Sequence, residues 1–257
     1  MSSPSPDHSS APLWRVALPL LVGVPLLLSG TYLLPRVDLH GHVAWVASWL
    51  TELGGVYGAP FVTVLVAGVY LSRPGLAPGA RGREAGVLFA ALIVILGVLA
   101  WINEFAVKPR IGEPRPDIVE LADQGRLGMT PTAFYALGDK SARQAYLAKL
   151  DLSDLPPGIR AHWIREAGYS FPSGHALFSM TLATCFACLG LWTLQGPRRW
   201  CLLALLPWAL AVCYTRPLLR VHTPTDVLGG GTLGVCAGLT AAWITRRLGA
   251  APTREAA

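Results

Sequence analysis

Six long apolar runs, parted by short polar links and one long polar section, constrain this chain more than any other feature. They cover residues 16–34, 54–71, 85–102, 174–194, 200–214 and 227–245. A helix needs about 20 apolar residues, at roughly 1.5 Å each, to cross the hydrocarbon core of a bilayer. The runs meet that need, the fifth being short. A cleaved secretory signal is the alternative for the first run, but the run is long and no small-residue cleavage site follows it. It reads as an uncleaved span. Only 14% of the residues are charged, against about 25% in soluble domains. The sequence therefore predicts an all-α, polytopic membrane protein with six transmembrane helices.

The links carry their own signals. Residues 35–42 form a polar link, and the Trp-rich stretch 43–53 is too short to span but suits the interface, where Trp is favoured. A basic loop with Arg73, Arg81 and Arg83 precedes the third run. Residues 103–171 are the one long polar section. Within it, Thr130-Pro131 marks a helix start with proline in the first turn, 141–150 is helical in pattern, and Pro156-Pro157-Gly158 marks a break. The section is too small for a large core of its own, so it reads as a small helical periplasmic cap between the third and fourth spans. Residues 1–12 read as a disordered Ser/Pro-rich tail and 251–257 as a polar tail, leaving 13–250 as a single membrane-embedded domain.

Six spans place both termini on one side. That side holds nine arginines: Arg15, Arg73, Arg81, Arg83, Arg198, Arg199, Arg246, Arg247 and Arg254. Short basic links stay in the cytoplasm, whereas long sections translocate largely regardless of charge. The 103–171 section thus belongs on the outer face. The formal charge of +6 lies at the ends of apolar runs, with no basic face interleaved with aromatics, so nucleic acid is not a partner.

Three motifs emerge on that outer face: Lys108-Pro-Arg110-Ile-Gly-Glu113-Pro-Arg115-Pro116, Phe171-Pro172-Ser173-Gly174-His175, and Thr215-Arg216 followed by Arg220, His222 and Asp226. A phosphoryl group in transfer keeps negative charge on its non-bridging oxygens, which fixed cations stabilise. Arginine donates two parallel hydrogen bonds to such oxygens, and Lys108 adds a point charge. Ser173 and Gly174 at a helix start offer a hydroxyl and free N–H groups to an anion. His222, with Asp226 fixing its tautomer four residues on, fits a nucleophile. His175 fits the acid that protonates a leaving oxygen and then activates water. Lys108, Arg115, Ser173, Gly174 and Arg216 are the expected phosphate-binding residues. Glu113 and Glu166 either tune those cations or touch a headgroup.

Other polar residues have plainer readings. Arg36, Arg110 and Arg220 read as snorkelling anchors, and His8, His40 and His42 as polar trim at the membrane edge. His162 fits either class. Cys185 and Cys188 form a C-x-x-C inside an apolar helix without a second ligand pair, so they read as core packing. No His/Asp/Glu cluster has metal-ligand spacing, and no cofactor or metal is expected.

These blocks resemble the type-2 phosphatidic acid phosphatase superfamily, whose pattern is Lys, six residues, Arg-Pro; then Pro-Ser-Gly-His; then Ser/Thr-Arg, five residues, His, three residues, Asp. Lys108, Arg115-Pro116, Pro172 to His175, Thr215-Arg216, His222 and Asp226 match it in order, with threonine where serine is commoner. The Glu-Pro-Arg-Pro context and His162-Trp163, Glu166, Gly168 and Phe171-Pro172 resemble the bacterial phosphatidylglycerophosphatase B branch. The resemblance implies a metal-independent lipid phosphatase of the bacterial inner membrane that works through a phosphohistidine. Its substrates would be lipid phosphates such as phosphatidylglycerophosphate, undecaprenyl diphosphate or phosphatidate. A lipid phosphotransferase using the same phosphohistidine is the alternative enzyme. A vanadate-dependent haloperoxidase shares the pocket logic, but those proteins are soluble. A non-catalytic scaffold or transporter would carry damage at these positions, and none is seen. Oligomeric state is left open.

Overall fold

The computed structural model describes residues 14–55 and 58–249, so the expected tails at 1–12 and 251–257 lie outside the described residues. Every regular element among them is helical. α1 (Trp14–Ser29) runs into a 3-10 turn (Gly30–Leu33). α2 (His42–Leu53), α3 (Gly58–Leu71) and α4 (Pro78–Ile102) follow. α4 continues through a π turn (Asn103–Val107) into α5 (Lys108–Ile111). Four short helices come next: α6 (Pro116–Asp123), α7 (Pro131–Tyr135), α8 (Lys140–Leu147) and α9 (Pro157–Arg165). The chain closes with α10 (Gly174–Thr193), α11 (Gly196–Leu203), α12 (Leu205–Leu218) and α13 (Pro224–Gly249).

Among the described residues, five helical runs are long and apolar enough to cross a membrane, or six if α2 and α3, bent by 64°, count as one span. The protein is thus a multi-pass membrane protein. The second span differs from expectation. Residues 54–71 do not form one helix; Gly54 caps α2 and α3 begins at Gly58. At about 1.5 Å per residue, the 14 residues of α3 reach only some 21 Å, short of the core thickness.

The third span also differs. It starts at Pro78, so Arg81 and Arg83 lie in the helix and not in a loop. It does not end at residue 102, because Asn103 and Glu104 belong to the π turn and the helix runs on to Ile111. There Gly112, at φ +65°, stops it in the left-handed conformation that glycine adopts without penalty. Pro156-Pro157-Gly158 is a helix start and not a break, with Pro157 in the first turn of α9. Thr130 does begin a helix, its hydroxyl accepting from the Ala133 N–H at 3.2 Å.

α10 sits at the centre, buried almost continuously from Ala176 to Gly190, Cys185 and Cys188 included. A helix that is apolar all round belongs inside. α13 packs closely on it through Gly230, Gly234 and Gly238. A Cβ at Gly234 would lie 2.5 Å from the Leu177 carbonyl oxygen, and one at Gly238 as close to that of Thr181. Such small-residue spacing lets two backbones meet where lipid supplies no hydrophobic drive. The outward faces expose Leu26, Leu33, Phe61, Ile93 and Trp101, as a lipid-facing surface does.

α6 to α9 enclose a second apolar cluster, with Ile118, Leu121, Phe134, Leu147, Ile159 and Trp163 at its centre. Leu39, Ala44, Ala47, Leu219 and Val221 complete that cluster from outside the section. Its core is therefore shared with α2 and with the turn after α12.

Candidate active site

His222 lies in the turn between α12 and α13, and local sequence sets its position. Thr223-Pro224-Thr225-Asp226 closes a reciprocal cap at the start of α13. The Asp226 N–H donates to Thr223 Oγ1 at 3.2 Å and the Thr223 N–H to Asp226 Oδ2 at 2.7 Å. This is a capping box with proline at the first helical position. The same Oδ2 accepts from Ser170 Oγ and lies 3.2 Å from His222 Nδ1. The cap and the imidazole thus share one carboxylate. Upstream, Arg220 takes φ +60°, a left-handed conformation unusual for a side chain with a Cβ. Its guanidinium is held by Glu120 at 2.5 Å and by the Val37 carbonyl at 2.9 Å. Arg36 joins the same Glu120 at 2.8 Å while its side chain stays largely exposed, whereas Arg220 is tied into the fold rather than being the snorkelling anchor expected. Arg110 does stay at the surface, bonded among the described residues only to the Ala106 carbonyl four residues back.

With Nδ1 donating to Asp226, Nε2 of His222 keeps its lone pair, and it lies 3.4 Å from Arg115 Nη1. Burial, reinforced by Arg115 and Arg216, holds the His222 imidazole well below its usual pKa. It is a neutral base with its free nitrogen turned to a cation. Arg115, 1% exposed, is held on three sides: Nε donates to the Gly168 carbonyl at 2.8 Å, Nη1 to that of Val221 at 3.1 Å, and Nη2 pairs with Glu166 at 2.8 Å. Burial alone would raise the Glu166 carboxyl, but Arg115, His175, Arg216 and His162 override it and hold the group well below the carboxylate range.

Arg216 differs from Arg115. It is fully buried, and its Nη1 lies 2.5 Å from Thr51 Oγ1 and 2.9 Å from His162 Nε2. Its Nε and Nη2 are buried without a hydrogen-bond partner among the described residues. Unsatisfied buried donors on a charged group are costly, and this free edge presents two parallel donors of the kind that suits an anion. Lys108 opens α5 and pairs with Glu104, one helical turn back, at 3.0 Å. Ser173 caps α10, its hydroxyl accepting from the Ala176 N–H, and its own N–H donates to the Asp226 carbonyl at 3.0 Å. That last bond joins the second and third motifs directly.

A cavity of about 650 Å³ reaches this cluster. Lys108, Arg115, Glu166, Gly174 and His175 line its polar end together with Glu104 and Lys140. Ala59, Val64, Phe89, Leu92 and Ile93, from α3 and α4, line an apolar arm. Ser173, Arg216, His222 and Asp226 are buried off that wall, and His222 meets it through Arg115. Glu113 is also off the wall; its carbonyl accepts from the Ser170 N–H at 2.9 Å. Among the described residues no group of three or more His, Cys, Asp or Glu could hold a metal ion.

The order of cations, capped histidine and buried carboxylate is a family signature as well as a geometry. A sequence model of the PAP2 superfamily matches residues 86–250. The chain belongs to the PAP2 superfamily. It is similar to phosphatidylglycerophosphatase B of Escherichia coli K12, with 34% identity over 176 residues, or 65% of this chain and 64% of that protein. Phosphatidylglycerophosphatase B of Haemophilus influenzae is 30% identical over 145 residues, covering 53% of this chain and 58% of the relative. The lipid A 4'-phosphatase of Bacteroides thetaiotaomicron is 34% identical over 84 residues, 33% of this chain and 35% of that one. The chain thus aligns with less than two thirds of the length of these relatives.

Sequence reasoning missed part of this PAP2 site. Thr51 and Glu52 come from the stretch read as interfacial, and nothing in a single sequence joins them to residues more than a hundred positions away. Ser170 stands one residue before Phe171-Pro172 and has no motif of its own. The reciprocal cap at Thr223-Pro224-Thr225-Asp226 was legible as a pattern.

Proposed function

We propose that the protein is a metal-independent membrane lipid phosphatase acting through a phosphohistidine on His222. The observation that carries this reading is the His222 ring, tied to Asp226 through Nδ1 with Nε2 beside Arg115. Arg216 supports it with an unpartnered side-on edge, since that edge binds two phosphate oxygens at once.

In the first step the Nε2 lone pair of His222 forms a bond to phosphorus and the bond from phosphorus to the lipid oxygen breaks. His175 gives its proton to that leaving oxygen. In the second step His175 takes a proton from water, the water oxygen bonds to phosphorus, and the N–P bond breaks to release inorganic phosphate. Lys108, Arg115 and Arg216 hold the non-bridging oxygens, while the Gly174 N–H adds a donor at a helix start. These three fixed cations supply the charge stabilisation that other phosphatases take from metal ions. Glu166 keeps Arg115 in place by its ion pair.

The apolar arm between α3 and α4 suits an acyl or prenyl chain, which fits lipid phosphates better than soluble monoesters. Phosphatidylglycerophosphate, undecaprenyl diphosphate and phosphatidate are the candidate substrates. We place the protein in a bacterial inner membrane with both termini in the cytoplasm and the site on the outer face. Two long helices support that orientation. α4 runs from Arg81 and Arg83 towards Lys108, and α13 from Asp226 towards Arg246 and Arg247, so basic ends and site lie at opposite ends of the bundle.

A phosphate-release panel on the purified protein tests the reading, comparing these three lipids with a soluble phosphomonoester. Release from at least one lipid, well above that from the monoester, is expected. Release from the soluble ester alone contradicts a lipid phosphatase, and label passing only to an acceptor lipid points to the transferase.

A further inference from the structure

Arg216 is the cation whose orientation decides whether two phosphate oxygens can be held at once, a role that rests on the protein being a phosphatase. Two anchors act on one of its nitrogens: Nη1 meets Thr51 Oγ1 at 2.5 Å and His162 Nε2 at 2.9 Å. The opposite edge, Nε and Nη2, is left unpartnered among the described residues. A guanidinium pinned at Nη1 cannot swing about its long side chain, so the free edge keeps one direction.

An arginine can only donate, so His162 must meet it with a bare Nε2 and carry its proton on Nδ1. Glu52 Oε1 lies 3.2 Å from that Nδ1. Arg165 Nη2 also approaches Nδ1, at 2.9 Å, but Arg165 is half exposed and has Glu52 as its ion partner. The fully buried Arg216 bond therefore sets the tautomer. We propose that His162 is a positioning residue, fixed by Glu52, which with Thr51 turns the free edge of Arg216 to the phosphate.

The charges facing this ring come from four elements. Glu52 reaches it from α2, Arg165 and Glu166 from α9 and its end, and Arg216 from α12; His175 of α10 stacks edge-on at 6.0 Å. A second ring proton would have to sit on Nε2, against the guanidinium, and would break the anchor. Burial, only partly offset by the Glu52 hydrogen bond, holds His162 below the usual imidazole range, with Arg216 and Arg165 adding to the effect. Activity should thus be present with His162 neutral and fall as pH drops through its pKa.

The test measures phosphate release from phosphatidate in mixed micelles by wild type, His162→Ala and His162→Gln, between about pH 4 and pH 8. Glutamine can place its carbonyl oxygen where Nε2 lay but does not titrate. His162→Ala should lower kcat/KM by on the order of tenfold to a hundredfold, the scale of a lost hydrogen bond to a charged group. His162→Gln should stay within about threefold of wild type at neutral pH, with its acid limb moved to lower pH. An alanine variant within about threefold of wild type, a glutamine variant as weak as alanine, or an unmoved acid limb would each overturn the proposal. Should His162→Ala fail to fold, as judged by gel filtration, the glutamine pH profile decides alone. A wild-type protein that releases phosphate from none of the lipids removes the phosphatase reading itself.

Discussion

One oxygen of Asp226 carries three tasks at the residue scale. It caps α13 through the Thr223 N–H, accepts from Ser170, and fixes the His222 ring. In the proposed mechanism, a nucleophile held this way is ready before substrate arrives, which lowers the reorganisation needed during reaction. Arg216 shows the same economy, since its anchored nitrogen and its free edge are distinct groups on one planar fork. Lysine cannot reproduce that fork, because its ammonium is a single charged point with no side-on pair of donors. Arg216→Lys should therefore cost about 2–3 kcal/mol of transition-state stabilisation, roughly 30- to 160-fold in kcat/KM. Steady-state phosphate release measures it, and a loss of less than about threefold would mean the fork is not used.

At the element scale, close contact between α10 and α13 brings the second and third motifs together. Ser173 at the start of α10 and Asp226 at the start of α13 are joined by a backbone hydrogen bond of 3.0 Å. Gly230, Gly234 and Gly238 keep the two helices near enough for that bond. Gly238→Val should push them apart and destabilise the protein by about 1–3 kcal/mol, the usual cost of overpacking. Gly68→Ala in α3, where an added Cβ meets nothing within 4 Å, should leave stability unchanged or slightly higher. Thermal unfolding of both variants in one detergent makes the comparison; equal midpoints would show that the glycine contact does not hold the helices.

The whole molecule shows which parts of this architecture a single sequence can reveal. Apolar runs and caps act locally, so α10, α13 and the Thr130 start were legible. The extension of α4 was hidden because Asn103 and Glu104 look like an exit from the membrane. Within a helix, however, Glu104 finds Lys108 one turn on. The bend between α2 and α3 was hidden for a different reason. Thr51 and Glu52 act on α9 and α12, and such long-range contacts leave no local pattern. On the same scale, the proposed mechanism assigns the charge-stabilising work to protein cations. Phosphate release should keep at least about four fifths of its rate in excess chelator, whereas a metal-assisted reaction would collapse and recover with one divalent ion. Loss in chelator followed by such recovery would contradict metal independence.

The central claim is a covalent bond between His222 and phosphorus. Purified wild type and His222→Ala should be mixed with a lipid carrying radiolabelled phosphate and quenched within the first turnover. Wild type should retain acid-labile, base-stable label that maps to the peptide containing His222, and the variant should retain none and release no phosphate. Label on another residue, or normal phosphate release by His222→Ala, would contradict that bond.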